Sequence, residues 1–205
     1  EEKSKTTGWE PVPIERGALE ARGKFAHSTR NEPRFYGGKI PFIQIGDISS
    51  ADQYVRKYSQ TLNEQGLEIS REFPAGTVII AITGATIGAT AILGFDSCFP
   101  DSIVGLTPVP GRVTSEFLYW AIEYVKQKAL EQATQTTQPN INLRVLNSLR
   151  IPLPSLSEQE SLTERLQAIR KSIAAVRREQ QAALEETTAL LPSILNQVFN
   201  GGSDA

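Results

Sequence analysis

The chain contains no methionine and only one cysteine and one histidine among its 205 residues. Each scarcity closes off a class of function. A lone Cys98 excludes an internal disulfide and any cysteine-based zinc site within one chain. A lone His27 means that a Ser/His/Asp triad or a histidine metal site would have to use that residue, in a polar loop with no signature around it. Asp47, Asp96 and Asp101 are scattered, no paired-carboxylate motif stands out, and no Asn-Pro-Pro-aromatic or Asp-Pro-Pro-aromatic motif for amino methylation occurs. No apolar run approaches the ~18 residues of a membrane span. Residues 1–9 are polar and charged, so neither a span nor a signal peptide is expected, and the expected location is cytoplasmic. Without methionine the initiator is missing, and a processed or trimmed chain is expected. The sequence reads as a non-enzyme with no metal site and no cofactor of its own.

What the chain does have is a long amphipathic run at residues 157–199, entered through Ile151-Pro152-Leu153-Pro154-Ser155-Leu156. Ser157-Glu158-Gln159-Glu160 fits a capping box that starts a helix, the hydroxyl of Ser157 taking the amide of Glu160 and the carboxylate of Glu160 reaching back. Leu162, Leu166, Ile169, Ile173, Val176 and Ala183 then recur at alternate spacings of four and three, which draws one seam along the helix. At ~1.5 Å per residue the run is roughly 60 Å long, more than one small domain can cover, so the seam calls for a second helix. The simplest partner is another copy of the chain. Packing on its own domain is the plainer alternative, and the length argues against it. Gln180 and Thr187 interrupt the register, after which Leu184, Leu191, Leu195 and Val198 carry it on, as a stutter would produce. Pro192 is expected to kink or end the helix near Leu191, and Gly201-Gly202 to stop it.

Hydrophobic residues make up 40% of the chain, enough for one core of ordinary size plus an appendage. Residues 8–14 read as an extended entry segment and residues 23–38 as a long polar loop. A strand is expected at 40–48, a strand buried on both faces at 77–83, and further strands at 89–94 and 103–107. Gly84-Ala85-Thr86-Ile87-Gly88-Ala89-Thr90 lacks the Gly-Lys-Ser/Thr ending of a Walker loop and the following helix of a dinucleotide fingerprint, so it reads as a tight turn between core strands. Thr114 can cap a helix to about residue 133, with Leu118, Ile122 and Val125 on one face.

A net charge of −2 argues weakly against a nonspecific nucleic-acid binder, but the distribution is uneven. Between residues 16 and 39 six basic residues (Arg16, Arg22, Lys24, Arg30, Arg34, Lys39) face two acidic ones (Glu20, Glu32), while from Ile151 onward five basic residues face seven acidic. A basic front on an acidic frame suits contact with DNA at one face; a solvated loop with a chance bias is the alternative. Residues 132–142 are rich in amides and hydroxyls. Asn and Gln can bond adenine edges and Thr can meet a thymine methyl, so Gln135, Thr136, Thr137, Gln138 and Asn140 suit base reading as well as capping and turn chemistry. With the basic set Arg22, Lys24, His27, Arg30, Arg34 and Lys39 they form the candidate DNA-binding residues. Leu162, Leu166, Ile169, Ile173, Val176, Leu184 and Leu191 form the candidate dimerisation face.

Four stretches then follow one order. They are Ile40-Pro41-Phe42-Ile43-Gln44-Ile45-Gly46-Asp47-Ile48; Phe73-Pro74-Ala75-Gly76-Thr77 through Ala81-Ile82-Thr83-Gly84-Ala85-Thr86-Ile87-Gly88; Gln138-Pro139-Asn140-Ile141-Asn142; and Ile151-Pro152-Leu153-Pro154-Ser155-Leu156-Ser157-Glu158-Gln159. The series, spanning about residues 8–199, resembles the specificity subunits of type I restriction-modification systems. The resemblance implies an α+β (mixed α/β) target-recognition domain, residues 1–152, followed by a long coiled-coil-forming helix and tail, residues 153–205. Full-length members repeat this unit, so one copy looks like a half subunit. The chain departs from the family's Gly-Gly-Thr-Pro-Ser type of segment at Gly23-Lys24-Phe25-Ala26-His27-Ser28. The implied mechanism is a homodimer whose antiparallel helices hold two recognition domains apart on a split, palindromic site in double-stranded DNA. The implied partners are a DNA methyltransferase (modification) subunit, which methylates adenine with S-adenosylmethionine, and a restriction/motor subunit. The chain itself is expected to bind neither S-adenosylmethionine nor ATP. Two rivals remain: a non-DNA coiled-coil scaffold, for which Arg30 and Arg34 would not matter to DNA affinity, and a small enzyme using His27.

Overall fold

A computed structural model describes residues 8–25, 32–84, 86–133, 141 and 143–200. They fall into two compact units, Glu1–Glu160 and Ser161–Ala205. The first begins with β1 (Pro11–Pro13), a 3-10 turn and β2 (Ala18–Arg22). A second 3-10 turn, Pro33–Phe35, leads into β3 (Tyr36–Phe42), α1 (Ile45–Ser50), β4 (Tyr54–Val55), β5 (Gln60–Leu62) and α2 (Glu64–Ile69). Next come β6 (Glu72–Phe73), β7 (Val78–Ala81), β8 (Thr90–Leu93), β9 (Ser97–Cys98) and β10 (Ile103–Pro108). The chain then forms α3 (Ser115–Ala133), α4 (Leu143–Ser148), β11 (Arg150–Pro152) and α5 (Leu156–Asn200). The result is the mixed α+β class with a long C-terminal helix.

The β-branched run Val78-Ile79-Ile80 makes β7 the centre of a five-stranded sheet ordered β2-β10-β7-β8-β4. Every residue of β7 is buried, because the strand is covered on both faces. On one face Ile79, Ala91 and Ile103 join Ile43, Val55, Phe73 and Phe99 in the main core. Phe73 and Phe99 stack with centroids 4.1 Å apart, and Gly105 makes room for them, since a Cβ there would lie 2.9 Å from both rings. The opposite face of the sheet packs against α3. Thr114 caps that helix, its hydroxyl accepting from the amide of Phe117 at 3.2 Å, and Leu118, Ile122 and Val125 are buried as expected. The Tyr54 hydroxyl donates to Glu116, tying β4 to the start of α3, and burial with that bond pushes the phenol pKa up. A second sheet, β5-β3-β9-β6, encloses a smaller cluster of Phe25, Phe35, Phe42, Leu62 and Cys98. Burial raises the Cys98 thiol pKa and leaves it an inert core group.

Several expectations need correction. The strand expected over 40–48 stops at Phe42, and Ile45–Ser50 is helical. Phe42 and Ile43 are both fully buried, which breaks strand alternation, and the Asp47 carboxylate accepts from the Gln44 amide at 2.8 Å to start a helix. The loop expected over 23–38 is shorter, because β3 begins at Tyr36 and takes in Gly37 (φ +82) and Gly38 through a bulge. The helix start lies two residues earlier than expected: Ser155 caps α5, its amide and hydroxyl donating to Glu158 Oε2 at 2.9 and 2.7 Å. Two overlapping Ser-x-x-Glu boxes stand in the sequence, and the one directly after Pro154 wins. Those bonds hold the Glu158 carboxyl below its usual pKa.

In the second unit α5 continues through Pro192 to Asn200. Pro192 removes only the donor for the Thr188 carbonyl, and residues 184–200 are all exposed, so water can satisfy it. Gly201-Gly202, expected to stop the helix, lie outside the described residues. Leu162 and Leu166 are half-buried, whereas Ile169 (56%), Ile173 (49%), Val176 (51%), Leu184 (61%) and Leu191 (63%) are exposed. Leu190, Ile194, Leu195, Val198 and Phe199 are exposed as well. Among the described residues no helix is long and apolar enough to cross a membrane.

Candidate nucleic-acid interface

The register of the five-stranded sheet collects distant segments at one end. β10 pairs antiparallel with β2 and β7, matching Val104 to Arg22 and Ile103 to Ala81, and β7 pairs with β8, matching Ile80 to Thr90. The end of β2, the start of β10, the end of β7 and the start of β8 therefore share one edge. Arg22 and Lys24 are both exposed there. The Arg22 guanidinium donates to the Asp101 carbonyl, and Arg71 Nη1 donates to the Arg22 carbonyl at 3.2 Å. Gly23 seats the turn: its amide donates to the Ile103 carbonyl at 2.9 Å, and a Cβ there would lie 2.2 Å from the Pro100 oxygen.

The same edge receives the far side of the chain. Ile82 donates to Ser102 at 2.9 Å and accepts from the amide of buried Ile141 at 2.9 Å. Leu130, near the end of α3, packs so closely on Gly88 that a Cβ there would lie 3.0 Å away. The chain thus leaves α3 and returns at Ile141 beside the turn joining β7 to β8. Gln135, Thr136, Thr137, Gln138 and Asn140 belong to that connection and lie outside the described residues, as do His27 and Arg30.

The remaining candidates sit elsewhere. Arg34 pairs with Glu32 at 2.6 Å, and its guanidinium lies 4.6 Å from the Phe35 ring centroid, so its charge is partly compensated. Lys39 is exposed on β3 in the second sheet. The candidate set is therefore split: Arg22 and Lys24 share the sheet end, while Arg34 and Lys39 do not belong to it.

Residues 18–186 match the family model described as the type I restriction modification DNA specificity domain. The chain belongs to this family. The putative type I restriction enzyme MjaX specificity subunit of Methanocaldococcus jannaschii is 27% identical over 164 residues, covering 78% of this chain and 36% of the relative. The type I restriction enzyme EcoDI specificity subunit of Escherichia coli is 25% identical over 173 residues, 80% of this chain and 38% of the relative. Among solved structures, the HsdS subunit from Thermoanaerobacter tengcongensis superposes with a TM-score of 0.66 at 22% identity, covering 95% of this chain and 45% of that one. A chain from a structural study of type I R-M complex assembly and conformational transition gives a TM-score of 0.73 at 24% identity, covering 94% of this chain and 46% of that one. This specificity domain thus spans between a third and a half of the length of these proteins.

One residue that reading the sequence missed holds the specificity domain together where α5 begins. Gln159 is fully buried. Its Oε1 accepts from the Thr114 amide at 3.0 Å, and its Nε2 donates to the carbonyls of Arg112 at 2.8 Å and Pro154 at 2.9 Å. Trp9 adds a bond from Nε1 to Glu158 at 3.3 Å. The available signal was a glutamine in the first turn of a helix, on the side that faces inward.

Proposed function

We propose that this specificity domain reads one half of a split, palindromic DNA site as the sequence-recognition subunit of a type I restriction-modification complex. In this reading two copies pair antiparallel through α5, which spaces the two recognition units, and the assembly docks methyltransferase and restriction/motor subunits that supply all chemistry. The chain contributes recognition and geometry, with no catalytic group, metal or cofactor of its own.

The observation that carries the reading is the exposed seam on α5. A 45-residue helix is about 68 Å long, and from Ile169 onward its seam residues are about half exposed or more. An exposed apolar stripe of that length calls for a covering helix. Membership of the specificity-domain family supports DNA as the ligand. The convergence of Arg22, Lys24 and the chain returning at Ile141 supports the sheet end as the reading face. Half-sites on the order of one helical turn apart, ~34 Å, are within the reach of such a spacer.

The test combines solution mass with DNA binding by the chain and its modification subunit, scanned over duplexes carrying split palindromes at several salt concentrations. A dimer at micromolar concentration and salt-sensitive binding that depends on half-site spacing are expected. A monomer at that concentration, or binding indifferent to spacing, would overturn the reading.

A further inference from the structure

The turn joining β7 to β8 is larger than the connection requires. Two antiparallel neighbours can be closed by two residues. Here the last bond between the two strands is that from the Gly88 amide to the Ala81 carbonyl at 2.8 Å, and six residues of sequence separate these two. Gly84 (φ +90) and Gly88 (φ +84) supply left-handed backbone in this turn.

Its base is clamped from several sides. Ile87 donates to Gly84 at 3.2 Å and Ala89 to Thr86 at 3.0 Å. Lys126 Nζ reaches the Gly88 carbonyl at 3.2 Å while pairing with Glu123 at 2.5 Å, and the Thr90 hydroxyl bonds the same carbonyl at 2.9 Å. The tip is open: Gly84 and Thr86 are exposed, and a Cβ on Gly84 would meet nothing within 4 Å. No charged side chain occurs between Glu72 and Asp96, so nothing in the turn repels an anion.

Three strand spacings separate Arg22 on β2 from the start of β8, about 14 Å at ~4.8 Å each. That span is comparable with a major groove ~12 Å wide. We propose that the exposed Thr86, on the turn anchored at Gly88, contacts a DNA backbone phosphate with its hydroxyl as donor, complementing the Arg22 and Lys24 contacts across the same sheet end. The inference rests on the recognition reading above and adds a residue to it. A phosphate contact fixes register on the duplex without reading sequence, so its loss weakens binding to all sequences alike.

The test titrates a labelled mixed-sequence duplex with the full chain and its modification subunit between roughly 50 and 200 mM salt. Thr86→Glu should weaken binding about tenfold at the lower salt, and Thr86→Lys should strengthen it and steepen the slope of log K against log salt by about one per copy. Lys57→Glu is the control. Tyr54 and Val55 pair parallel with Ile92 and Leu93, so the exposed Lys57 follows β4 at the opposite end of the sheet, and its reversal should leave affinity within about twofold. Both Thr86 variants change an exposed side chain and should keep the unfolding temperature. A wild-type assembly that binds DNA while both variants match it in affinity and slope would overturn the inference and leave the recognition reading intact. Equal losses from Thr86→Glu and Lys57→Glu would also overturn it, as a mere effect of net charge. A wild-type assembly with no salt-dependent binding would overturn the recognition reading and this inference with it.

Discussion

Replacing Gln159 by leucine removes three hydrogen bonds without removing much volume. The amide of Thr114 loses its acceptor, and the carbonyls of Arg112 and Pro154 lose donors, all at a side chain with no exposed surface. A buried polar group left without a partner costs about 1–3 kcal/mol. Taking the low end for each group, because carbonyls relax and keep a second lone pair, gives a loss of about 3 kcal/mol. For a chain of this size about 1 kcal/mol moves Tm by ~2–4 °C, so Gln159→Leu should lower it by roughly 6–12 °C. Gln159→Glu is the sharper companion. It keeps an acceptor for Thr114 but sets a buried carboxylate against two carbonyl oxygens, and should cost at least as much. The assay is thermal unfolding read by tryptophan fluorescence, since the two tryptophans, Trp9 and Trp120, lie in the first unit and Trp9 bonds Glu158 beside the substitution. A Gln159→Leu protein within about 1 kcal/mol of wild type would show that these bonds do not hold the start of α5, and would refute the reasoning.

Three further outcomes follow from the same structure. Ile173→Glu should convert the proposed dimer to monomer in sedimentation analysis without loss of helix content: the side chain is 49% exposed on the single chain, and losing its proposed contact in both copies costs about 3 kcal/mol, roughly 100-fold in Kd. Gly23→Ala should destabilise the first unit or abolish folding, because the new Cβ would stand 2.2 and 2.5 Å from the Pro100 and Phe99 oxygens; denaturant titration measures it. Burial pushes the Glu20 carboxyl pKa up, and its Oε2 has no partner among the described residues, so the folded state favours the protonated form. That contribution is fully present below the ordinary pKa of 4.5 and is lost as pH rises through the raised value. Glu20→Gln should therefore be the more stable protein at neutral pH, with an advantage that shrinks as pH falls towards the ordinary value, read by unfolding across pH.

Much of the fold was legible because its central elements carry strong local signals. The β-branched run at Thr77-Val78-Ile79-Ile80 can only be a buried strand, and Thr114 followed by the Leu118, Ile122 and Val125 face can only be an amphipathic helix. The misreadings fall where two local signals compete. Phe42-Ile43-Gln44-Ile45 continues an apolar pattern past the residue where the Gln44–Asp47 cap turns the chain into a helix. Of the two outcomes expected at Pro192, a kink or an end, the end does not occur, because the carbonyl that it frees is on an exposed stretch where water can bond it. Strands β4, β5, β6 and β9 are two or three residues long, too short for any periodicity to appear; β4, β5 and β9 are templated by the longer β8 and β3, and β6 adds on to β9.

The site was legible only as pieces, because what unites it is register. Counting charge along the chain groups Arg22, Lys24, Arg34 and Lys39, yet Arg34 is answered by Glu32 and Lys39 stands on the other sheet. The sheet end proposed to meet DNA thus carries only two of these four cations, together with the chain returning at Ile141. Counting the exposed Arg71, whose guanidinium bonds the Arg22 carbonyl, the described residues bring three cations to that end, and so few phosphate contacts give a weak single reader, since each contributes only about one released counterion. Joining two such readers changes the arithmetic. Under the proposed pairing the second half-site is met at an effective concentration set by the arm, and avidity can rise by about 10²–10⁴ without any new contact. A stiff helix also confines that gain to half-sites at the matching spacing, whereas a flexible linker would spread it over many. Under that proposal a sparsely charged sheet end and a long exposed seam on α5 serve the same purpose: one copy binds too weakly to act alone, and the paired arms decide which half-sites are bound.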